Sequence, residues 1–131
     1  MRAQQPQRKA PKRVRSEPHV AATPLSVAQW KKVSALLGLG VRARTAVVGV
    51  ELVRGAAQRG NVALAVVADD ASPNSRAKVV PMLTAKRIAM IDGVTAQQLG
   101  AAVGRETTAV VAVVDKALAR GIRGALSPSA S

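Results

Sequence analysis

Four short apolar runs, separated by stretches with helical spacing, dominate the middle of this chain. The runs cover residues 46–48, 62–68, 88–91 and 109–114, and the stretches between them cover residues 49–59, 73–85 and 95–103. Apolar runs of this length that alternate with helical patterns are typical of strands in an α/β sheet. Residues 26–39 and 115–123 also have helical spacing. The pattern predicts a single α/β domain with a core on both faces of one sheet.

The first predicted helix has its own start and stop signals. The Ser26 hydroxyl can accept a hydrogen bond from an amide of the first turn, as serine commonly does at a helix start. Trp30 falls on the apolar face with Val33, which predicts a core residue rather than a platform for a base. Gly38 and Gly40 predict that the helix ends near residue 39.

Composition restricts the possible functions. The chain has 131 residues, a net charge of +13, no cysteine, and only 1% aromatic residues. Platforms that stack single-stranded bases need aromatic side chains, so that mode of nucleic-acid binding is excluded. The lack of cysteine excludes disulfides, zinc knuckles and thiol catalysis and fits a cytoplasmic location. No apolar run approaches the roughly 20 residues of a membrane span.

The positive charge extends along the whole chain. Residues 1–24 are predicted to be a disordered basic arm, residues 25–123 the folded domain, and residues 124–131 a frayed tail. Beyond the arm, 14 of the 20 basic residues and six of the seven acidic residues remain, so the domain itself is basic. A polyanionic partner is expected, with the arm acting either as an electrostatic clamp or as a solubilising tail. Glu17 opposes six basic residues in the arm: Arg2, Arg8, Lys9, Lys12, Arg13 and Arg15.

Two patterns suggest an enzyme, but each is weak evidence for one. Residues 38–43 match a dinucleotide-binding fingerprint in letters, but they follow a predicted helix, whereas that motif requires a preceding strand. Asp70, Asp92 and Asp115 follow apolar runs and would hold Mg²⁺ for a nuclease if they converged. Acidic residues after strands also commonly begin turns and cap helices. The only histidine, His19, lies in the arm. The chain is therefore predicted to be non-enzymatic and without a cofactor, with the nuclease as the alternative.

Three loops offer a better site. Gly49 opens a predicted helix, whose first amides are donors suited to phosphates or base edges. The loop after the second apolar run, residues 62–68, contains Asp70. The segment with Gly104, Arg105 and Thr107 precedes the last apolar run, residues 109–114. Glycines at such positions allow close approach of a backbone, and arginine supplies charge.

Several blocks between residues 34 and 123 are recognisable, the most specific lying between residues 99 and 113. They read Leu37-Gly38-Leu39, Gly49-x-Glu51-Leu52-Val53, Asp70-Ala71-Ser72-x-Asn74 and Leu99-Gly100-x-Ala102-x-Gly104-Arg105-Glu106. These blocks resemble the L-seven-Ae (kink-turn-binding) ribosomal protein family, and most closely its bacterial YlxQ-like branch.

The resemblance implies a three-layer α/β/α sandwich around a mixed four-stranded sheet. It also implies a non-enzymatic, ribosome-associated protein that is monomeric when free and binds structured RNA through a basic loop face. The RNA-binding residues would be Arg42, Arg44, Gly49, Val50, Glu51, Arg54, Asp70, Gly104, Arg105 and Thr107. A protein-interaction module that has lost RNA binding is a further alternative.

The sequence departs from the family pattern in two places. Glu51 and Leu52 stand where kink-turn readers have an Asn-Glu pair, and a glutamate cannot donate the amide hydrogen bonds that read a sheared G·A pair. A weak preference for kink-turns is therefore expected. Arg44 lies where YlxQ-like chains have the glycine of an Ala-Gly-Lys triplet, and its charge would replace that of the lysine. Glu51 is three residues before Arg54, a spacing that predicts an ion pair.

Overall fold

A computed structural model describes residues 19–21 and 25–126. The rest of the predicted arm and residues 127–131 of the predicted tail lie outside these ranges. The helices are α1 (Val27–Arg42), α2 (Val50–Gln58), α3 (Pro73–Ala85), α4 (Ala96–Ala102) and α5 (Lys116–Leu126). The strands are β1 (His19–Ala21), β2 (Ala46–Val48), β3 (Leu64–Val67), β4 (Ala89–Ile91) and β5 (Val110–Val113). Within the described ranges, no helix is long and apolar enough to cross a membrane.

The sheet is mixed, as predicted. Its strand order is β1-β4-β3-β5-β2, with β3 parallel to β4 and β5 antiparallel to both β3 and β2. Strands β2 to β5 are the four that the apolar runs predicted. β1 adds a short edge strand, parallel to β4, from within the segment predicted to be a disordered arm.

Helices cover both faces of the sheet, which confirms the three-layer sandwich. α1, α4 and α5 pack on one face, and α2 and α3 pack on the other. All four residues of β3 and of β5 are buried, so these central strands face helices on both sides. Trp30 is half-buried and packs against the first of these two cores, in agreement with its predicted role.

Helix α1 is longer than predicted, because Gly38 and Gly40 do not end it. A Cβ at Gly38 would lie 2.9 Å from the carbonyl oxygen of Ala102, and a Cβ at Gly40 would lie 2.5 Å from Leu118 Cδ2. The two glycines therefore let α4 and α5 approach α1 closely. The helix stops at Arg42, and Arg44 then adopts a left-handed conformation with φ of 64°.

Helix α5 also extends past its predicted end at residue 123. It continues to Leu126, which is buried in the core. The Gln29 side chain at the start of α1 donates a hydrogen bond to the Leu126 carbonyl oxygen at 3.3 Å. Residues 124–126 thus belong to the folded domain rather than to a frayed tail.

The strand directions divide the connections into two groups. Val48 and Val66 both pair with Val111, and Val66 also pairs with Ile91, so these four residues form a row across the sheet. Beyond this row lie residues 49–52, 69–75, 92–95 and 104–107, which we call the loop end. The connections before β2, β3 and β4 and after β5 lie at the opposite end of the sheet.

The start of α1 is fixed by a capping box, as Ser26 suggested. Its hydroxyl accepts from the Gln29 amide at 3.0 Å, and the Gln29 side chain accepts from the Ser26 amide at 2.9 Å. Ser26→Ala should destabilise the fold by about 1 kcal/mol, which lowers Tm by about 4–8 °C in a domain of this size. Ser34→Ala, the same change inside α1, should leave Tm nearly unchanged. Equal thermal shifts for the two variants would show that the cap does not stabilise α1.

Candidate nucleic-acid interface

The three loops predicted to form a site do come together at the loop end, and a fourth segment joins them. The Gly49 amide donates to the Val110 carbonyl oxygen at 3.0 Å, so the start of α2 is tied to the start of β5. The Asp69 amide donates to the Val94 carbonyl oxygen at 2.8 Å. This second bond brings residues 92–95 into the group. The sequence reasoning missed them, although Asp92 and Gly93 mark a turn directly after an apolar run.

Gly49 gives the amino end of α2 an open approach. Its φ is 101°, a backbone conformation that residues other than glycine rarely adopt. A Cβ at this position would meet nothing within 4 Å. No side chain caps this helix start, in contrast to α1, α3 and α4. The first intrahelical bond runs from the Val53 amide to the Gly49 carbonyl oxygen. The amides of Val50, Glu51 and Leu52 therefore remain available to a ligand.

The loop after β3 is held rigidly by its two aspartates. Asp69 Oδ1 accepts from the Gly93 amide at 3.0 Å, and Asp70 Oδ1 accepts from the Ala96 amide at 2.7 Å. Arg76, at the start of α3, donates to the Ala68 carbonyl oxygen at 2.9 Å. The two carboxylates thus accept from backbone amides in the next connection and at the start of α4. Asp70 thus ties the loop after β3 to the start of α4, and its predicted contact with RNA stays a prediction.

The segment before β5 lies flat against α4. A Cβ at Gly100 would stand 2.6 Å from Thr107 Cα and 2.8 Å from the carbonyl carbon of Glu106. The Arg105 amide donates to the Gly100 carbonyl oxygen at 2.8 Å. Gly104 turns the chain with φ of 80°, and Arg105 and Thr107 are exposed. Gly100 therefore brings Gly104, Arg105 and Thr107 to the loop end.

The predicted ion pair between Glu51 and Arg54 does not form. The Glu51 carboxylate instead lies 3.9 Å from Lys78 Nζ on α3. Arg54 Nη1 donates to the Lys78 carbonyl oxygen at 2.9 Å. Because α2 and α3 pack side by side, α3 offers partners that the spacing along α2 cannot reveal. Arg54 lies one turn from the amino end of α2, with Lys78 beside it on α3.

Arg42 and Arg44 do not belong to this group. Arg42 ends α1 and Arg44 lies in the turn before β2, whereas Gly49 follows β2. The whole strand separates these arginines from the helix start that they were predicted to flank. Closeness in sequence is misleading here, because the three-residue strand β2 carries the chain from one end of the sheet to the other.

The loop end itself is not basic. Its four segments contain Arg105 as their one basic residue and five of the six acidic residues of the domain: Glu51, Asp69, Asp70, Asp92 and Glu106. Positive charge at this end comes from helix residues just behind the loops, namely Arg54, Arg76 and Lys78. The predicted basic loop face is therefore replaced by open backbone amides with cations at their side.

The acidic residues do not assemble the metal site of a nuclease. Asp115 follows β5, so it lies at the end of the sheet opposite Asp70 and Asp92. Its carboxylate accepts from the Leu118 amide at 2.8 Å and caps α5. Across the part of the chain that the structure describes, no three His, Cys, Asp or Glu residues are grouped to hold a metal ion.

Comparison with known proteins agrees with this architecture. The model of the ribosomal protein L7Ae/L30e/S12e/Gadd45 family matches residues 31–120, and the chain belongs to this family. A protein of unknown function from Bacillus halodurans C is 31% identical, with a TM-score of 0.66 over 76% of this chain and 97% of that one. The Giardia lamblia 15.5kD RNA binding protein shares the fold at 17% identity, with a TM-score of 0.66 over 82% of this chain and 92% of that one.

A comparison with curated proteins gives no match. Assignment to the YlxQ-like branch within the family stays a prediction.

The contact between Gly100 and the 104–107 segment can be tested. Gly100→Ala places a methyl group against backbone atoms that cannot rotate away, so it should destabilise the domain by about 1–3 kcal/mol. Gly121→Ala is the matched control, since its Cβ would meet only Leu36 Cδ1 at 3.8 Å on the exposed side of α5. That change should stabilise the helix by about 0.5–1 kcal/mol. Thermal unfolding of both variants checks the prediction, and an unchanged Tm for Gly100→Ala would contradict the close packing.

Proposed function

We propose that this protein is a ribosome-associated RNA-binding protein that contacts structured RNA through its loop end. The observation that supports this most directly is the uncapped amino end of α2, open at Gly49 and tied to the start of β5. Membership of a family of ribosomal proteins supports an RNA partner. The proposal includes no catalytic step and no cofactor, and it places the protein in the cytoplasm as a monomer when free of RNA.

In this proposal, the backbone provides the primary contacts. The amides of residues 50–52 donate to a phosphate or a base edge, where the positive end of the helix dipole favours an anion. Gly49 and Gly104 allow an RNA backbone to come close, because neither has a side chain and both face open space. Thr107 offers an exposed hydroxyl on the other side of the approach.

Cations at the side of the loop end hold the RNA phosphates. Arg54 uses one guanidinium nitrogen on the Lys78 carbonyl oxygen, and this bond fixes the direction of a side chain that has further donors. Arg105 approaches from the 104–107 segment. Glu51 lies 3.9 Å from Lys78 Nζ with an 80% exposed side chain, and it repels phosphate. We therefore propose that the natural protein distinguishes a kink-turn only weakly from a plain duplex.

Restoring the Asn-Glu pair should raise that selectivity. Glu51→Asn combined with Leu52→Glu removes the repelling carboxylate, adds an amide donor, and leaves the net charge unchanged. Both side chains are exposed, so the fold should tolerate the change. We expect roughly tenfold better discrimination of a kink-turn hairpin from a plain duplex, equal to about 1.4 kcal/mol. Val27→Glu, at the most exposed apolar residue of α1, is the control and should not alter discrimination.

Fluorescence anisotropy with both RNAs provides the measurement. If the natural protein already selects the kink-turn as strongly as the double variant, the interpretation of Glu51 and Leu52 is wrong. If neither protein binds either RNA, the protein-interaction alternative replaces this proposal.

Arg54 should matter for RNA binding more than Arg120, an exposed arginine on α5 away from the loop end. Arg54→Ala removes a charge-assisted phosphate contact and should weaken binding about fivefold. It also removes the hydrogen bond to Lys78, which is exposed, so unfolding should become easier by at most about 1 kcal/mol. Arg120→Ala should change neither quantity. Equal losses of affinity would mean that the surface attracts RNA only as diffuse charge, and the loop end would have to be abandoned as the site.

A further inference from the structure

The excess positive charge of the domain collects at the end of the sheet opposite the loop end. The connections there are residues 42–45, 59–63, 86–88 and 114–116, and Asp115 is their one acidic residue. We call their six basic residues the basic end: Arg42, Arg44, Arg59, Lys86, Arg87 and Lys116. The two ends of the sheet thus differ sharply in charge, since the loop segments contain one basic and five acidic residues.

The strand register shows that these connections lie side by side. Leu64 pairs with both Ala89 and Val113, and Val113 pairs with Ala46, so the four residues form one row across the sheet. Strands are spaced about 4.8 Å apart, which makes this row roughly 14 Å wide. Hydrogen bonds join neighbouring connections directly. The Val114 amide donates to the Thr45 carbonyl oxygen at 2.9 Å, and the Ala63 amide donates to the Val113 carbonyl oxygen at 2.8 Å.

The cations of the basic end have no partners within the domain. All six side chains are exposed. Among residues 25–126, none of them forms an ion pair or a side-chain hydrogen bond. The Asp115 carboxylate is engaged as the cap of α5. This end of the domain therefore presents concentrated, uncompensated positive charge to solvent.

Two of the four arginines in the basic end occupy positions that favour glycine. Arg44 and Arg87 follow α1 and α3 with φ of 64° and 58°, and they are the non-glycine residues with positive φ in the described chain. Glycine is the usual residue in a left-handed conformation after a helix, since a Cβ is disfavoured there. Arginine at both positions therefore opposes local stability and adds charge to the same surface.

We infer that the basic end is a second RNA-contacting surface, which grips the phosphate backbone of an RNA segment separate from the one at the loop end. That the partner is RNA rests on the proposed function. Duplex nucleic acid in the B form has about one phosphate per 1.7 Å of its axis, so a surface roughly 14 Å wide faces several phosphates. Contacts of this kind hold RNA without regard to sequence.

A purely structural role for these cations gives a different expectation. Basic residues near the carboxyl ends of α1, α2 and α3 also interact favourably with the negative ends of the helix dipoles. If that were their function, removing them would lower stability and leave RNA binding unchanged. Arg44 and Arg87 separate the two roles, because glycine at these positions relieves the left-handed strain while it removes the charge.

The test uses the full chain and a plain duplex RNA without a kink-turn, with anisotropy measured over a range of salt concentrations. Arg44→Gly/Arg87→Gly should weaken binding roughly tenfold. It should also flatten the slope of log K against log salt by the amount expected for the loss of about two phosphate contacts, each worth close to 0.9 for B-form DNA. Its Tm should be unchanged or higher. Arg44→Lys/Arg87→Lys should restore most of the affinity. Lys31→Gln/Lys32→Gln is the charge-matched control, at exposed positions about 15 Å along α1 from Arg42.

The outcomes are distinct. The inference is overturned if the arginine pair and the lysine pair lose equal affinity for the duplex RNA, or if neither loses any. Arg54→Ala in the same assay tests the loop end independently. An effect of Arg54→Ala alone would retain the proposed function and reject the second surface, and the reverse result would retain the second surface and reject the loop end.

Discussion

The antiparallel pairing of β5 between β3 and β2 is the constraint on which the rest of the structure depends. Both neighbours run in the opposite direction, so the segment that enters β5 lies beside the segments that leave β2 and β3. This pairing places residues 104–107 next to Gly49 and Asp69. It also turns the exit of β5 towards the opposite end of the sheet, so that Asp115 is far from Asp70. The meeting of the loops at one end of the sheet and the separation of Asp115 from Asp70 have the same topological origin.

Close backbone packing explains several glycines that look like helix stops or loop residues in the sequence. Gly38 and Gly40 lie inside α1, where a Cβ would press on the Ala102 carbonyl oxygen of α4 and on the Leu118 side chain of α5. Gly100 lies inside α4 and supports the segment that turns at Gly104. The buried residues of the core around these contacts are alanine, valine, leucine, isoleucine and one methionine. In this protein, the shape of the candidate site depends on glycines without a Cβ on the helix surfaces as much as on the residues that line the site.

The distribution of charge distinguishes the two ends of the domain. Two of the five acidic residues at the loop end bind backbone amides, Asp69 that of Gly93 and Asp70 that of Ala96. In the proposed function, an end with this composition selects RNA by open amides and fit rather than by bulk attraction. The basic end has the opposite character, with exposed cations and few hydrogen-bonding constraints. A net charge of +13 therefore does not show which surface is basic, because the fold determines where the basic residues lie.

The sequence by itself determined the fold class, four of the strands, the positions of the helices within a few residues, and the three loops of the site. These follow from the spacing of apolar residues and from caps such as Ser26, which are local properties of the chain. Only the tertiary structure decided which residues face one another. It paired Glu51 with Lys78, directed Arg54 to a carbonyl of α3, and moved Arg42 and Arg44 to the far end of the sheet. Local patterns do not record these relations, because strand direction and helix packing join residues that are distant in sequence.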